Sequence, residues 1–419
     1  MKLDCDVDDA GLLARAVAYL DLEDGWRELR VAPVSGSRVR LEVGGPSPRE
    51  PRLEDGEGYV VPALPVEFHF HGTCETDFSR HGVLDLPEIE RQAAREHALY
   101  VPTMFLERDG VHRFRELLEE FSARRRRGEL PHLLGLALEG PQLGSVGGTP
   151  RSTNWLPGRV EWELLARGAE HGLQYVVCSP GPDSDWVVPL LLEAGIRPAL
   201  GHFGRDDSAT TVRALRRILD LAGRSGAANR YSLLTDHLFN DTPISFRHAW
   251  RTAEENARRD GEVADLGLPE WTIDTIASRV GEVAGLLITA AAEGRLTLCL
   301  NFDGEHVDRA ICRRMVDLVG SDAIICMTDR TDCAQLADQR LHRRGGTELW
   351  YQDDGVVAAG SQPIDRQVAN MRRWGISERD IWNLVSSVPM AALRPDGHEV
   401  ARELSYVDAG CRRPLVPTR

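Results

Sequence analysis

Eight cysteines stand at positions 5, 74, 178, 299, 312, 326, 333 and 411, and no two of them form a Cys-x-x-Cys pair. Several, such as Cys178, Cys299 and Cys326, lie inside apolar strand-like runs. A reduced, cytoplasmic chain with buried thiols is the natural reading. The sequence has no Walker loop, no Gly-x-Gly-x-x-Gly opening a helix after a strand and no Gly-x-Ser-x-Gly elbow. The usual phosphate, dinucleotide and serine-hydrolase signatures are therefore missing. No apolar run reaches the roughly 18 residues of a membrane span, and the acidic start Met-Lys-Leu-Asp-Cys-Asp lacks an apolar signal core. Positive charge is short: the formal net charge is −15. That balance argues against nucleic acid or an anionic membrane as partner, and leaves a small-molecule substrate. What remains is an ordinary globular composition, 42% apolar and 27% charged.

Short apolar runs recur along the chain with helical stretches between them. The strand-like runs are Val66–His71, Leu99–Met104, Leu133–Glu139, Leu173–Ser179, Arg197–Phe203, Tyr231–His237, Leu296–Asp303 and Ala323–Asp329. Pro87–Ala98, Arg113–Arg126, Trp186–Ala194, Thr211–Leu221 and Val307–Val319 have amphipathic helical spacing. This alternation predicts an α/β fold, a (β/α)8 TIM barrel, over 61–393. A doubly wound open sheet is the rival. The barrel is preferred because polar residues gather at the C-terminal ends of the strands, where barrel enzymes build their sites. Residues 1–60 read as a small, reduced β-rich accessory region, with strands near Trp26–Val31 and Val39–Val43, and 394–419 as a short polar C-terminal tail. An insertion at 240–294 is expected over the active face. Two helices are expected in it, near Ser245–Arg259 and Ile273–Glu293, around the loop Gly261–Trp271. The run Arg124–Arg127 reads as a solvated helix end, and Asp353-Asp354-Gly355 as a turn.

The most informative stretch is His69-Phe70-His71 at the close of the first run. Residues two apart on a strand share a face, so both imidazoles can reach one metal ion. Glu139, His202, His237 and Asp329 end later runs in the same way. Each alone is more often a hydrogen-bonded or solvated residue, and Asp329 has the alternative of a helix N-cap. Together on one barrel rim they read as a site for zinc or a similar divalent ion. Asp329 then has the place of a general acid/base. His306 could polarise a substrate carbonyl, or be an exposed residue in the first turn of a helix.

The ordered set His69-x-His71, Leu138-Glu139-Gly140-Pro141, Gly201-His202, Thr235-Asp236-His237-Leu238-Phe239-Asn240, Asp303-Gly304-Glu305-His306-Val307 and Met327-Thr328-Asp329 resembles the amidohydrolase superfamily. Within it, the set is similar to the N-acetylglucosamine-6-phosphate deacetylases, from about Val61 to about Leu393. The resemblance implies a cytoplasmic, metal-dependent hydrolase of linear amides that deacetylates an amino sugar, and a homodimer. It implies that Glu139, His202 and His237 hold the principal ion, zinc first and iron or another divalent ion otherwise. His69 and His71 would complete a second site or line the first. Asp329 and His306 would be catalytic, and His306, Asn240, Asp241, Ala359 and Gly360 would lie against the substrate. The pattern departs from the family at Gly148-Thr149-Pro150-Arg151, at Asn240-Asp241-Thr242, in the missing Gly-Arg-Glu-Pro-Gly loop whose arginine binds phosphate, and in the missing C-terminal strands. Arg247 or Arg251 could replace that arginine. The rivals are an amidohydrolase of another, unphosphorylated N-acyl compound of specialised metabolism, and a non-catalytic barrel that binds a sugar or a partner.

Overall fold

A computed structural model describes residues 1–6, 13, 15–35, 38–47, 50–51, 57–181, 184–204, 208–224, 229–393, 400–401, 403–408 and 412–417. Eight parallel strands follow one another in space as they do in sequence: Val66–Phe70, Leu99–Met104, Leu136–Glu139, Leu173–Cys178, Arg197–Leu200, Leu234–His237, Thr297–Asn301 and Ile324–Met327. The eighth meets the first through Thr328 N–H to Phe68 O (3.2 Å), Asp329 N–H to His69 O (2.8 Å) and His71 N–H to Arg330 O (2.8 Å). The sheet thus closes on itself, and the expected (β/α)8 barrel is what the chain forms; the open-sheet rival is excluded.

Both faces of the strands are buried, as a parallel sheet requires. Phe68, Val101, Ala137, Tyr175, Val177, Ala199, Cys299, Ile325 and Met327 fill the interior. Phe70, Tyr100, Leu138, Val176, Leu200, Leu298, Leu300 and Cys326 face the helices. The Phe68 and Tyr175 rings stack at 4.9 Å, and the Tyr175 hydroxyl lies 2.7 Å from Thr103 Oγ1. This layer forms a dry floor beneath the strand ends.

The tail is the first correction. Leu404–Asp408 and Arg412–Pro417 are strands, and they complete a second, closed β-barrel with Lys2–Asp6, Ala16–Asp21, Gly25–Ser35, Arg38–Pro46 and Gly58–Val61. The C-terminal strands are present. Their polar composition hides them, because strands of a small barrel need apolar residues only at alternate, inward-facing positions such as Leu404, Tyr406 and Leu415. Just ahead of them, Glu403 meets His132 Nε2 at 3.1 Å, and the other ring nitrogen lies 2.6 Å from Glu90. Burial opposes the His132 cation, but the two carboxylates carry it up to about 9. Burial likewise opposes the Glu403 anion, and His132 and His97 bring it down to about 2. The His132 contribution is complete below its ordinary 6.5 and is lost as pH rises through about 9. The Glu403 contribution is complete above its ordinary 4.5 and is lost as pH falls through about 2. Glu403→Gln is therefore expected to lower the melting temperature at pH 6 and to change it much less at pH 10; an equal drop at both would remove the ion pair from the account.

The insertion is the second correction. Ser245–Arg259 is not one helix: residues 245–252 are non-helical and the helix runs Ala253–Asp265. Thr252 caps it, accepting from Glu255 N–H while the Glu255 side chain accepts from Thr252 N–H. This is the capping-box pattern. The helix consumes half of the expected loop. The following helix, expected over Ile273–Glu293, breaks at Gly281 (φ 103°) into Ile276–Val280 and Glu282–Ala292. A left-handed φ of that kind is a glycine conformation. The run Arg124–Arg127 is not wholly solvated either. Arg125 is buried and donates to the carbonyls of Leu130 and Leu133.

Candidate metal centre

Three of the strand-end residues, His69 (φ 55°), His202 (φ 47°) and Asp329 (φ 48°), have left-handed backbones. Such residues are uncommon outside glycine and cost about 1–3 kcal/mol each, a strain that collects at functional sites. The turn they make lifts each side chain off the sheet toward the barrel axis. At His69 the register slips, with Phe68 opposite Val101 and Phe70 opposite Pro102. The sixth strand slips as well, spanning Leu234 to His237 against Thr297 to Cys299. These bulges re-aim side chains.

The result is one buried cluster. Glu139 Oε1 lies 2.6 Å from His202 Nε2 and 3.4 Å from His237 Nε2. Glu139 Oε2 lies 3.2 Å from His71 Nε2 and 3.5 Å from His69 Nε2. One carboxylate thus joins two groups, Glu139 with His202, Asp236 and His237, and His69 with His71 and Asp329. Every metal-binding residue expected from the sequence is among them. Asp236 is the residue that sequence reasoning missed. Strict alternation would turn it away from His237, and only the bulge brings both inward.

Second nitrogens are fixed by the protein. His202 Nδ1 lies 2.9 Å from Ser145 O and His71 Nδ1 3.2 Å from Thr103 O. A neutral ring donating its Nδ1–H to such a carbonyl leaves Nε2 free as a ligand. Burial opposes the Glu139 anion, yet the surrounding imidazoles hold it well below the usual carboxylate range. Burial opposes a charged His71 as well, and Asp329 and Glu139 carry it up to about 10. His69 Nε2 and both Asp236 oxygens are buried without a hydrogen-bond partner. Each such atom costs about 1–3 kcal/mol, and a divalent cation is the group that would satisfy all of them. The residues fit the implied metal. Adding the preferred ion at about 100 times its Kd to chelator-treated protein should therefore stabilise it by about 2.7 kcal/mol. Calorimetry with and without the ion checks this, and an unmoved transition would count against the centre.

A cavity of about 570 Å³ opens above the cluster, lined by Glu139, His202, His237, His306 and Asp329 below and by the insertion above. His71 Nε2 lies 3.2 Å from Asp329 Oδ1, and His306 Nε2 3.4 Å from Asp329 Oδ2. Asp303 Oδ2 holds His306 Nδ1 at 2.5 Å, and the His306 Nε2 is buried without a hydrogen-bond partner. Burial works against the Asp303 anion, but His306 and two backbone N–H groups keep it below the usual range. His306 is thus a held ring at the cavity floor and not an exposed helix residue. Burial opposes the Asp329 anion, and hydrogen bonding to His71 keeps it low, so this carboxylate is an acceptor at neutral pH.

Asn240 and Asp241 line the cavity. Asn240 donates to Asn301 Oδ1 (3.2 Å), and Asp241 accepts from Ser145 Oγ (3.0 Å). The expectation for Ala359 and Gly360 is corrected: neither lines the cavity, Gly360 packs against His306, whose Cε1 would sit 3.1 Å from a Cβ there, and Gly355, Val356, Val357 and Ala358 are the lining residues of that loop. Arg247 lines the cavity with its guanidinium committed to Glu255 and Glu262. The half-buried Arg251 guanidinium donates to the carbonyls of Glu305 and His306, and desolvation lowers its pKa.

Fold and site together define a closed α/β barrel with a buried histidine–carboxylate cluster, able to hold a divalent metal, at the C-terminal rim. Among solved structures the chain is similar to N-acetylglucosamine-6-phosphate deacetylases. That from Thermotoga maritima shares 17% identity at a TM-score of 0.67, over 94% of each chain. That from Mycobacterium smegmatis shares 19% at 0.63 over 96% of each, and that from Pasteurella multocida 17% at 0.64 over 97% of this chain and 95% of the other. No protein-family model matches the chain, and no curated protein matches it by sequence. At these identities the likeness is one of fold.

Proposed function

We propose that this chain is a metal-dependent amidohydrolase that removes the N-acetyl group of an amino sugar. The observation that carries the reading is the meeting of Asp329 and His306 above Glu139, His202 and His237, at the floor of one sugar-sized cavity. A bound divalent cation would polarise the amide carbonyl and bring the pKa of water from about 16 toward 7. Zinc is the first ion to test, with iron as the alternative. Asp329 takes the proton of the attacking water and returns it to the leaving nitrogen. The His306 Nε2, on a ring held through Nδ1 by Asp303, faces the carbonyl oxygen as negative charge develops there. Asn240 and Asp241 hold the sugar hydroxyls.

An anionic group on the substrate is supported by Arg251, a half-buried guanidinium on the cavity wall that meets only backbone carbonyls among the described residues. A Mycobacterium smegmatis relative is described in complex with N-acetyl-D-glucosamine-6-phosphate. Arg247, paired already, is the weaker candidate for that anion. The resemblance that suggests the activity also suggests a homodimer in the cytoplasm; no helix of the described residues is long and apolar enough to cross a membrane.

Acetate release from N-acetylglucosamine and from its 6-phosphate tests the reading. Phosphate is expected to raise kcat/KM about tenfold or more, the value of one well-placed charged hydrogen bond. Equal rates would remove the phosphorylated substrate, and no acetate from any N-acetyl sugar would remove the activity.

A further inference from the structure

We propose that Asp236 is itself a direct ligand of the cation at Glu139, His202 and His237, so that four protein donors, two carboxylate and two imidazole, surround it. The inference rests on the metal-binding part of the reading above. It goes beyond the ligand set that the sequence resemblance implies, which stops at three.

The geometry points to this on three counts. Asp236 Oδ2 lies 3.4 Å from His202 Nε2 and 3.2 Å from His237 Nε2. Four donors each 2.0–2.1 Å from one centre stand about 3.3 Å apart, so these separations are those of a shared ion. Second, Asp236 is 2% exposed and neither of its oxygens has a hydrogen-bond partner. A buried carboxylate in that condition is strongly unfavourable unless a cation meets it. Third, the fold makes room for it twice. The bulge in the sixth strand turns Asp236 inward beside His237, with Thr235 Oγ1 accepting from Cys299 N–H (2.8 Å) in the gap. The neighbouring strand is followed at once by Gly201, where a Cβ would stand 2.3 Å from the Asp236 Cβ and 2.9 Å from its Oδ2. Only glycine leaves that space.

The chemical consequence concerns coordination number. Three protein donors leave a tetrahedral ion one open position for water. A fourth fills it, so the water must enter as a fifth ligand. With Asp236 as a ligand, an ion at home with five or six mixed nitrogen and oxygen donors, such as Fe²⁺, Mn²⁺ or Co²⁺, would rank before zinc, which is the first choice only for the three-donor set. The rival role for Asp236 is to position His69, whose Nδ1 is 3.5 Å from Oδ1.

The test is Co²⁺ binding by full-length wild type, Asp236→Asn and Asp236→Ala, each chelator-treated and checked for fold by circular dichroism. Competition against a chromophoric chelator is expected to give a Kd weaker by about 10- to 100-fold in both variants. The wild-type cobalt spectrum should have the weak visible bands of five or six donors, and Asp236→Ala the stronger bands of four. Unchanged Kd and spectra in both variants would overturn the proposal. So would a loss in Asp236→Ala with full affinity in Asp236→Asn, since the amide can still meet His69 but replaces an anionic ligand with a neutral one. These readouts need no substrate, so they stand or fall separately from deacetylation.

Discussion

Asp329→Asn should cut the rate of acetate release by about 10²- to 10⁴-fold, the usual yield of one positioned acid/base, while the protein keeps its metal. Asparagine is the informative replacement because residue 329 has a left-handed backbone (φ 48°), which asparagine accepts with little strain. The amide oxygen can keep the 3.2 Å contact to His71 Nε2. What it cannot do is accept a proton at neutral pH. Metal analysis and steady-state kinetics on the same preparation separate the effects. A variant that keeps its metal and more than a tenth of wild-type turnover would take the acid/base role from Asp329.

Arg330→Met is expected to be the most destabilising single change at the seam of the barrel. Arg330 is 3% exposed and follows the last strand; its guanidinium lies 3.2 Å from Glu67, 2.7 Å from Glu96 and 3.3 Å from the Tyr100 hydroxyl. Glu67, on the first strand, is wholly buried, and burial raises its pKa against the pull of Arg330. Removing the cation strands that carboxylate in the core, which costs about 3–5 kcal/mol. Urea unfolding measures it, and Glu67→Gln in the same chain should recover part of the loss. A cost under about 1 kcal/mol would mean that water reaches Glu67. Because Arg330 O also accepts from His71 N–H (2.8 Å), weaker metal binding is expected alongside.

The eight barrel strands were readable as sequence because each is a short apolar run walled off by polar turns, and both faces of each are buried. The candidate metal ligands at their ends were readable only as a set, because each alone is more often a hydrogen-bonded or solvated residue, and several closing successive strands of one barrel point to a shared ion. Asp236 was not readable, since it depends on a strand slip that belongs to the pairing of two strands and not to either alone. The insertion was misjudged for a different reason. Helical spacing runs through 245–259, yet the start of the helix is written in Thr252 and Glu255, a pair that caps only once residues 245–252 are held by neighbours such as Val280 O, which accepts from Ser245 N–H (3.1 Å). Arg125 likewise looks solvated in the sequence and is turned inward by carbonyls beyond its own helix.

The second barrel binds residues from opposite ends of the chain: Cys5 pairs with Pro417, and Tyr59 with Val407. During synthesis, chains grow from the N-terminus at about 5–20 residues per second, so the first five strands wait roughly 20 seconds or more for their last partners. Until then, their edges are open to pairing with other chains. The larger barrel can assemble meanwhile, which makes this small sheet the late-closing, aggregation-sensitive step of folding.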